Sequence, residues 1–64
     1  MKYSLEGVNG NAYAVMGYVR QAMRKEGISK SEIDKYLEDA QSSDYSHLLC
    51  VSFDMIDKLN ENFN

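Results

Sequence analysis

The 64-residue sequence predicts a small all-α domain of three helices behind a short extended N-terminal arm. Three observations carry this prediction. Apolar residues recur at spacings of three and four almost throughout, the period of an amphipathic helix rather than of a strand. Proline is absent, and breaks at Gly27 and at Ser42-Ser43 divide the periodic stretch into three segments. Each segment opens on a residue type that caps helix N-termini: Asn11, Ser29 and Asp44.

The first helix is expected over residues 12–26. Ala12, Val15, Met16, Val19, Ala22 and Met23 form a stripe roughly 120° wide by the 3.6-residue period. Asn9-Gly10 supports a rival, a two-residue hairpin turn with Tyr3 and Leu5 on one side and Tyr13 and Val15 on the other. The helix is preferred, because the stripe runs on to Met23 and Asn11 can cap it, which leaves residues 1–9 as the extended arm. Gly27 is placed to end the helix in a left-handed conformation. Arg24 and Lys25 then lie in the last turn, where positive charge meets the negative end of the helix dipole.

The second helix is expected over residues 30–41. Its start signal is full: Ser29 as N-cap, Glu32 closing a capping box, and Ile28 and Ile33 spaced for a hydrophobic staple. Ile33, Tyr36, Leu37 and Ala40 form its buried side. The third helix follows Asp44 and is expected over residues 45–60. Leu48, Leu49, Val51, Ser52, Met55, Ile56 and Leu59 cover roughly 160° of it, with Cys50 and Phe53 on the back. That is more apolar surface than two short neighbours should cover. A homodimer through this helix is therefore expected, with Leu49, Phe53 and Ile56 as the self-association residues.

Size points the same way. A core of this length rarely supplies more than about 3–5 kcal/mol, so small domains often add staples or self-association. Cys50 is the only cysteine, which excludes an intrachain disulfide and fits a reducing compartment. No early segment combines a basic start, a long apolar run and a small-residue cleavage site. The longest nearly apolar run, residues 12–19, is far short of the roughly 20 residues of a membrane-spanning helix. A cytoplasmic protein without a membrane association is expected.

Charge is distributed unevenly. From Ile28 onward eight acidic residues oppose three lysines, whereas residues 12–26 carry Arg20, Arg24 and Lys25 against Glu26 alone. One basic face on an acidic body is the reverse of the usual balance in a nucleic-acid binder.

Three constellations could carry chemistry. The turn MRKEGISKSEIDKYL has a helix-turn-helix layout, but its second helix would expose Glu32, Asp34, Glu38 and Asp39 against Lys30 and Lys35. Phosphate contact along that helix would be repulsive, so an ordinary helical hairpin is the preferred reading and nucleic acid is not an expected partner. His47, Cys50 and Asp54 share a face of the third helix and are all metal-ligand types. No second cysteine or histidine exists to complete a structural zinc site, and a Cys-His nucleophile would need a pocket and an oxyanion hole that three short helices scarcely provide. Neither a metal nor a cofactor is expected, and no enzyme. Met16, Met23 and Met55 lie on core stripes, where gap filling is the usual role.

The third constellation is a line beside the stripe of the first helix: Tyr13, Gly17, Arg20 and Arg24. Glycine in a helix interior costs up to about 1 kcal/mol relative to alanine. Two readings compensate that cost. Gly17 could pack at a helix crossing, with the arginines bridging to the acidic helices; or it could admit a partner, with Tyr13 packing on it and the arginines holding an anionic group. These four residues are the candidate partner-binding face, with the acidic face of the second helix as the alternative docking surface.

The segments GNAYAVMG, SEIDKYLEDAQSSDYSHLL and the following MID resemble a group of short, mostly uncharacterised bacterial proteins often found on phages and integrating mobile elements. The resemblance spans residues 5–59, nearly the whole chain. Matching positions include Gly10, Asn11, Ala12, Met16, Gly17, Glu32, Ile33, Leu37, Ala40, Ser43, Asp44, Tyr45, His47, Leu48 and Leu49. It implies a genomic setting rather than an activity. The expected function is accordingly a non-catalytic protein-binding module of phage or mobile-element origin, an inhibitor of a host protein, with a helix-turn-helix-like DNA-binding regulator as the alternative.

Overall fold

A computed structural model describes residues 2–61. Among these the fold is all-α, with α1 (Ala12–Lys25), α2 (Lys30–Ala40) and α3 (Tyr45–Glu61). The capping residues set these boundaries. Asn11 Oδ1 accepts from the Tyr13 amide at 2.8 Å, Ser29 Oγ from the Glu32 amide at 3.3 Å, and Asp44 Oδ1 from the His47 amide at 3.0 Å. Each contact satisfies an N-terminal amide that the helix itself cannot pair. The Glu32 carboxylate, expected to reach back to Ser29, lies instead 3.7 Å from Lys35 Nζ.

α1 ends in a full Schellman turn. Gly27 has φ 74°, its amide donates to the Arg24 carbonyl at 3.1 Å, and the Ile28 amide donates to the Met23 carbonyl at 3.0 Å. Ile28 and Met23 both join the core. The turn therefore fixes the direction in which the chain enters α2.

The core lies where the three helices meet. α1 contributes its predicted stripe from Val15 to Met23, α2 contributes Ile33, Tyr36 and Ala40, and α3 contributes Leu48, Ile56 and Leu59. One polar pair is enclosed with them. Ser52 is 0 % exposed and its hydroxyl lies 2.6 Å from that of Tyr36. Pairing removes the penalty of burying either group. Burial raises the Tyr36 pKa above the usual value, while the Ser52 hydrogen bond works in the opposite direction.

The N-terminal arm lies outside the helices and carries one turn. Its chain turns at Glu6-Gly7, where the Val8 amide donates to the Leu5 carbonyl at 3.1 Å and Gly7 has φ 84°. A β-turn of this kind needs positive φ at its third residue, which glycine supplies. The turn falls before Asn9-Gly10, whose side chain serves a different purpose: Asn9 Oδ1 accepts from the Asn11 amide at 2.9 Å. Tyr3 is buried and Leu5 packs against the core, so the arm is a fourth structural element.

Asn60, at the end of α3, holds the arm with a two-way amide contact. Its Oδ1 accepts from the Tyr3 amide at 2.8 Å and from the Lys2 amide at 3.1 Å, while its Nδ2 donates to the Tyr3 carbonyl at 2.9 Å. The arm also reaches α1, where the Tyr18 hydroxyl accepts from the Ser4 amide at 3.1 Å and the Tyr3 hydroxyl donates to the Glu26 carboxylate. At the other end of the molecule the Tyr45 hydroxyl donates to the Gly10 carbonyl.

The apolar side of α3 packs against α1 and α2. Ile56, expected in a self-association surface, is 4 % exposed and belongs to the chain's own core. It is unavailable to a second copy because α3 turns that side inward. Leu49 is half-buried against the core, and only Phe53, at 52 % exposure, stands clear of it.

Candidate functional site

Tyr13, Gly17, Arg20 and Arg24 recur at four, three and four along α1, so they form one line on the flank of the helix opposite Tyr18. The structure places that line along the open side of α1, facing α2. Two adjoining hollows run between the helices. One, of about 350 Å³, is bounded by Arg20, Arg24 and Ile28 on one side and Lys30, Ile33, Asp34 and Leu37 on the other. The second, of about 320 Å³, lies between Tyr13, Met16, Gly17 and Arg20 of α1 and Leu37 and Gln41 of α2. Arg20 and Leu37 border both, so the hollows form one groove.

All four predicted residues are thus brought together on one wall. Tyr13 is 79 % exposed, more than the other large hydrophobic side chains that stand in solvent, Phe53 and Tyr45. Gly17 has nothing within 4 Å of the position a Cβ would take, which excludes the reading of a packing glycine at a helix crossing. Among the described residues neither Arg20 nor Arg24 forms an ion pair, which likewise excludes the expected bridges to the acidic helices. Among the described residues no contact over Gly17 compensates the cost of a helix-interior glycine.

The opposite wall was not legible as part of a site. Leu37 reads in the sequence as core and Asp34 as a solvated charge, and both descriptions hold for α2 alone. Their second role follows from how α2 packs. Asp34 Oδ2 lies 3.2 Å from Lys30 Nζ, an i,i+4 pair that neutralises the one lysine of this wall. The net positive charge of the groove is consequently that of the two arginines.

The other constellations resolve into structure. His47 reaches the end of α2, where its Nε2 lies 3.0 Å from both the backbone carbonyl and the carboxylate of Asp39. No group of three His, Cys, Asp or Glu side chains suited to a metal occurs among the described residues. The exposed face of α2 carries Glu32, Asp34, Glu38 and Asp39, with Lys30 and Lys35 engaged by Asp34 and Glu32. A duplex phosphate backbone would meet carboxylates there.

The arm side of the molecule has the one strongly shifted titration. Donation to Glu26, burial and the negative charge of that carboxylate together push the Tyr3 pKa up to about 12. Glu26 also lies 3.4 Å from Lys2 Nζ. This network seals the arm, and it holds its charges away from the groove.

The chain measures 31 × 27 × 15 Å, so every helix keeps one face in solvent. An open groove suits a macromolecular partner better than a small ligand, whose sites enclose most of its surface. No helix among the described residues is long and apolar enough to cross a membrane. No family model matches the chain, and comparison with curated proteins and with solved structures returns no match.

Proposed function

We propose that the chain is a non-catalytic protein-binding module, of phage or mobile-element origin, that acts in the cytoplasm by occupying a surface of a host protein. One observation supports this reading above the others. The α1–α2 groove presents two arginines without ion pairs among the described residues, beside a glycine with open space above it. Each feature is locally unfavourable or unused in the isolated fold. Such departures from local consistency concentrate where a protein meets something else. Self-association remains part of the reading and falls to Phe53 with the half-buried Leu49.

The experiment is capture from host lysate followed by native mass spectrometry, with wild type and Arg20→Ala/Arg24→Ala compared side by side. A captured host protein should bind the double variant at least about tenfold more weakly, the loss of an arginine anchor. Helix content by circular dichroism should not change. Equal affinity of the two forms for an identified partner removes this face from the proposal.

A further inference from the structure

Resting on the protein-binding reading, the chemistry of the groove narrows the class of partner. Both walls are helices, whose interior amides and carbonyls are already paired. An extended peptide would gain no main-chain hydrogen bonds there and would leave its own backbone unsatisfied. A helical occupant brings its backbone hydrogen bonds with it and needs only side-chain complementarity.

Length and charge narrow it further. The wall from Tyr13 to Arg24 covers about 16 Å of helix axis, three turns. Gly17 lies near the middle of it, where the absence of a Cβ and of any neighbour allows a close helix approach. The floor is apolar, with Leu37 between the two hollows and Ile28 and Ile33 below it. Arg20 and Arg24 stand one turn apart on the rim, and the lysine across from them is already neutralised by Asp34. We infer that the groove receives an amphipathic, acidic α-helix of about three turns from another protein. Its apolar face rests on Leu37, a small residue crosses Gly17, and its carboxylates accept forked hydrogen bonds from Arg20 and Arg24.

A second copy of this chain fits less well. The apolar sides of its helices are spent on its own core, and the large apolar side chains left exposed are divided between Tyr13 on α1 and Tyr45 and Phe53, eight residues apart, on α3, so no one helix presents the several anchors that helix-in-groove binding uses.

The test is a selection from a displayed library of helical peptides, about 14 residues long to cover three turns, on the full chain. Enriched peptides should carry apolar residues at i, i+3 or i+4 and i+7 with Asp or Glu beside them. Their binding should shift the amide resonances of Gly17, Arg20 and Arg24. Affinity should fall at least about tenfold on Arg20→Glu/Arg24→Glu and on Gly17→Met, with thermal unfolding checked for each variant. Gly17→Ala, a smaller intrusion into the same space, should give an intermediate loss. Repeating the selection on Arg20→Glu/Arg24→Glu should return peptides rich in Lys and Arg. Neutral or basic peptides on the wild type, or binding that maps to Phe53, overturns the acidic-helix inference while the protein-binding reading stands. Recovery of no binder by either form, together with empty host-lysate capture, overturns both. Saturable duplex DNA binding at low salt that is lost in Arg20→Glu/Arg24→Glu assigns the face to phosphates and overturns the inference.

Discussion

α1 has two flanks of opposite character. On the Tyr18 side the arm is fastened by side chains from both ends of the fold: Asn60 pairs with the Tyr3 backbone in both directions, Tyr18 receives the Ser4 amide, and Glu26 receives the Tyr3 hydroxyl. On the Gly17 side nothing lies over the glycine, and two arginines stand without ion pairs among the described residues. The same helix thus carries a saturated flank and an open one. The difference teaches that polar side chains here are not simply the solvent-facing remainder of an amphipathic pattern. Those on one flank tie the arm to the helices, and those on the other make no ion pair among the described residues.

The largest effect that would break this comparison is at the saturated flank. Asn60→Leu removes the partners of the Tyr3 amide and carbonyl, groups in a buried residue. Leaving them unpaired should cost about 2–4 kcal/mol, read as a lower denaturant midpoint in urea unfolding. A change below about 0.5 kcal/mol, the level of an ordinary surface substitution, would mean that the arm contributes nothing to stability and that the two flanks are energetically alike.

Titration sharpens the same contrast. The Tyr3 phenol has an ordinary pKa of 10.0 and one of about 12 in the fold, chiefly because it donates to Glu26. The unfolded chain therefore loses this proton first as pH rises. Stability from the Tyr3 contact is complete below pH 10.0 and should be lost as pH climbs to about 12. Tyr3→Phe should flatten the stability profile in that window relative to wild type. The remaining slope includes Tyr36, whose pKa burial also raises. Equal slopes for the two proteins would detach Tyr3 from the clamp.

The smallest effect, and of opposite sign, is expected on the open flank. Gly17 is helical and its Cβ position is empty, so Gly17→Ala should stabilise the chain by about 0.5–1 kcal/mol. A rise in the thermal midpoint would show that the fold has a better residue at this position and does not use it. Destabilisation would reveal a close contact over the glycine and erase the distinction between the flanks.

The helices were legible in the sequence because their ends are written locally. Asn11, Ser29 and Asp44 each act within three residues of themselves, and Gly27 meets a backbone requirement that few other residues satisfy. The α1 wall of the groove was legible for a related reason, since a spacing of three and four is enough to align Tyr13, Gly17, Arg20 and Arg24. Asn60 was not. A polar residue at the edge of an apolar stripe reads as surface, and its partner lies 57 residues away, beyond any local pattern. The wide apolar arc of α3 reads in the sequence as more than two short helices can cover. That reading placed Ile56 in a self-association surface, whereas it packs in the core. The α2 wall was hidden because Leu37 is both core and groove floor, a double role that only the packing of α2 beside α1 reveals.

The Asn60 clamp also has a kinetic meaning. It joins residues separated by almost the whole chain, whereas the Schellman turn and the helix caps join residues within a few positions of one another. Closing so long a loop before the helices have paired would carry its full entropic cost with little return, so Asn60→Leu should raise the unfolding rate more than it lowers the refolding rate. A contact made late weighs on the rate of opening rather than of folding. An unfolding rate that moves while the refolding rate stays would mark Asn60 as the latch of the domain, with the speed of assembly left to α1, α2 and α3.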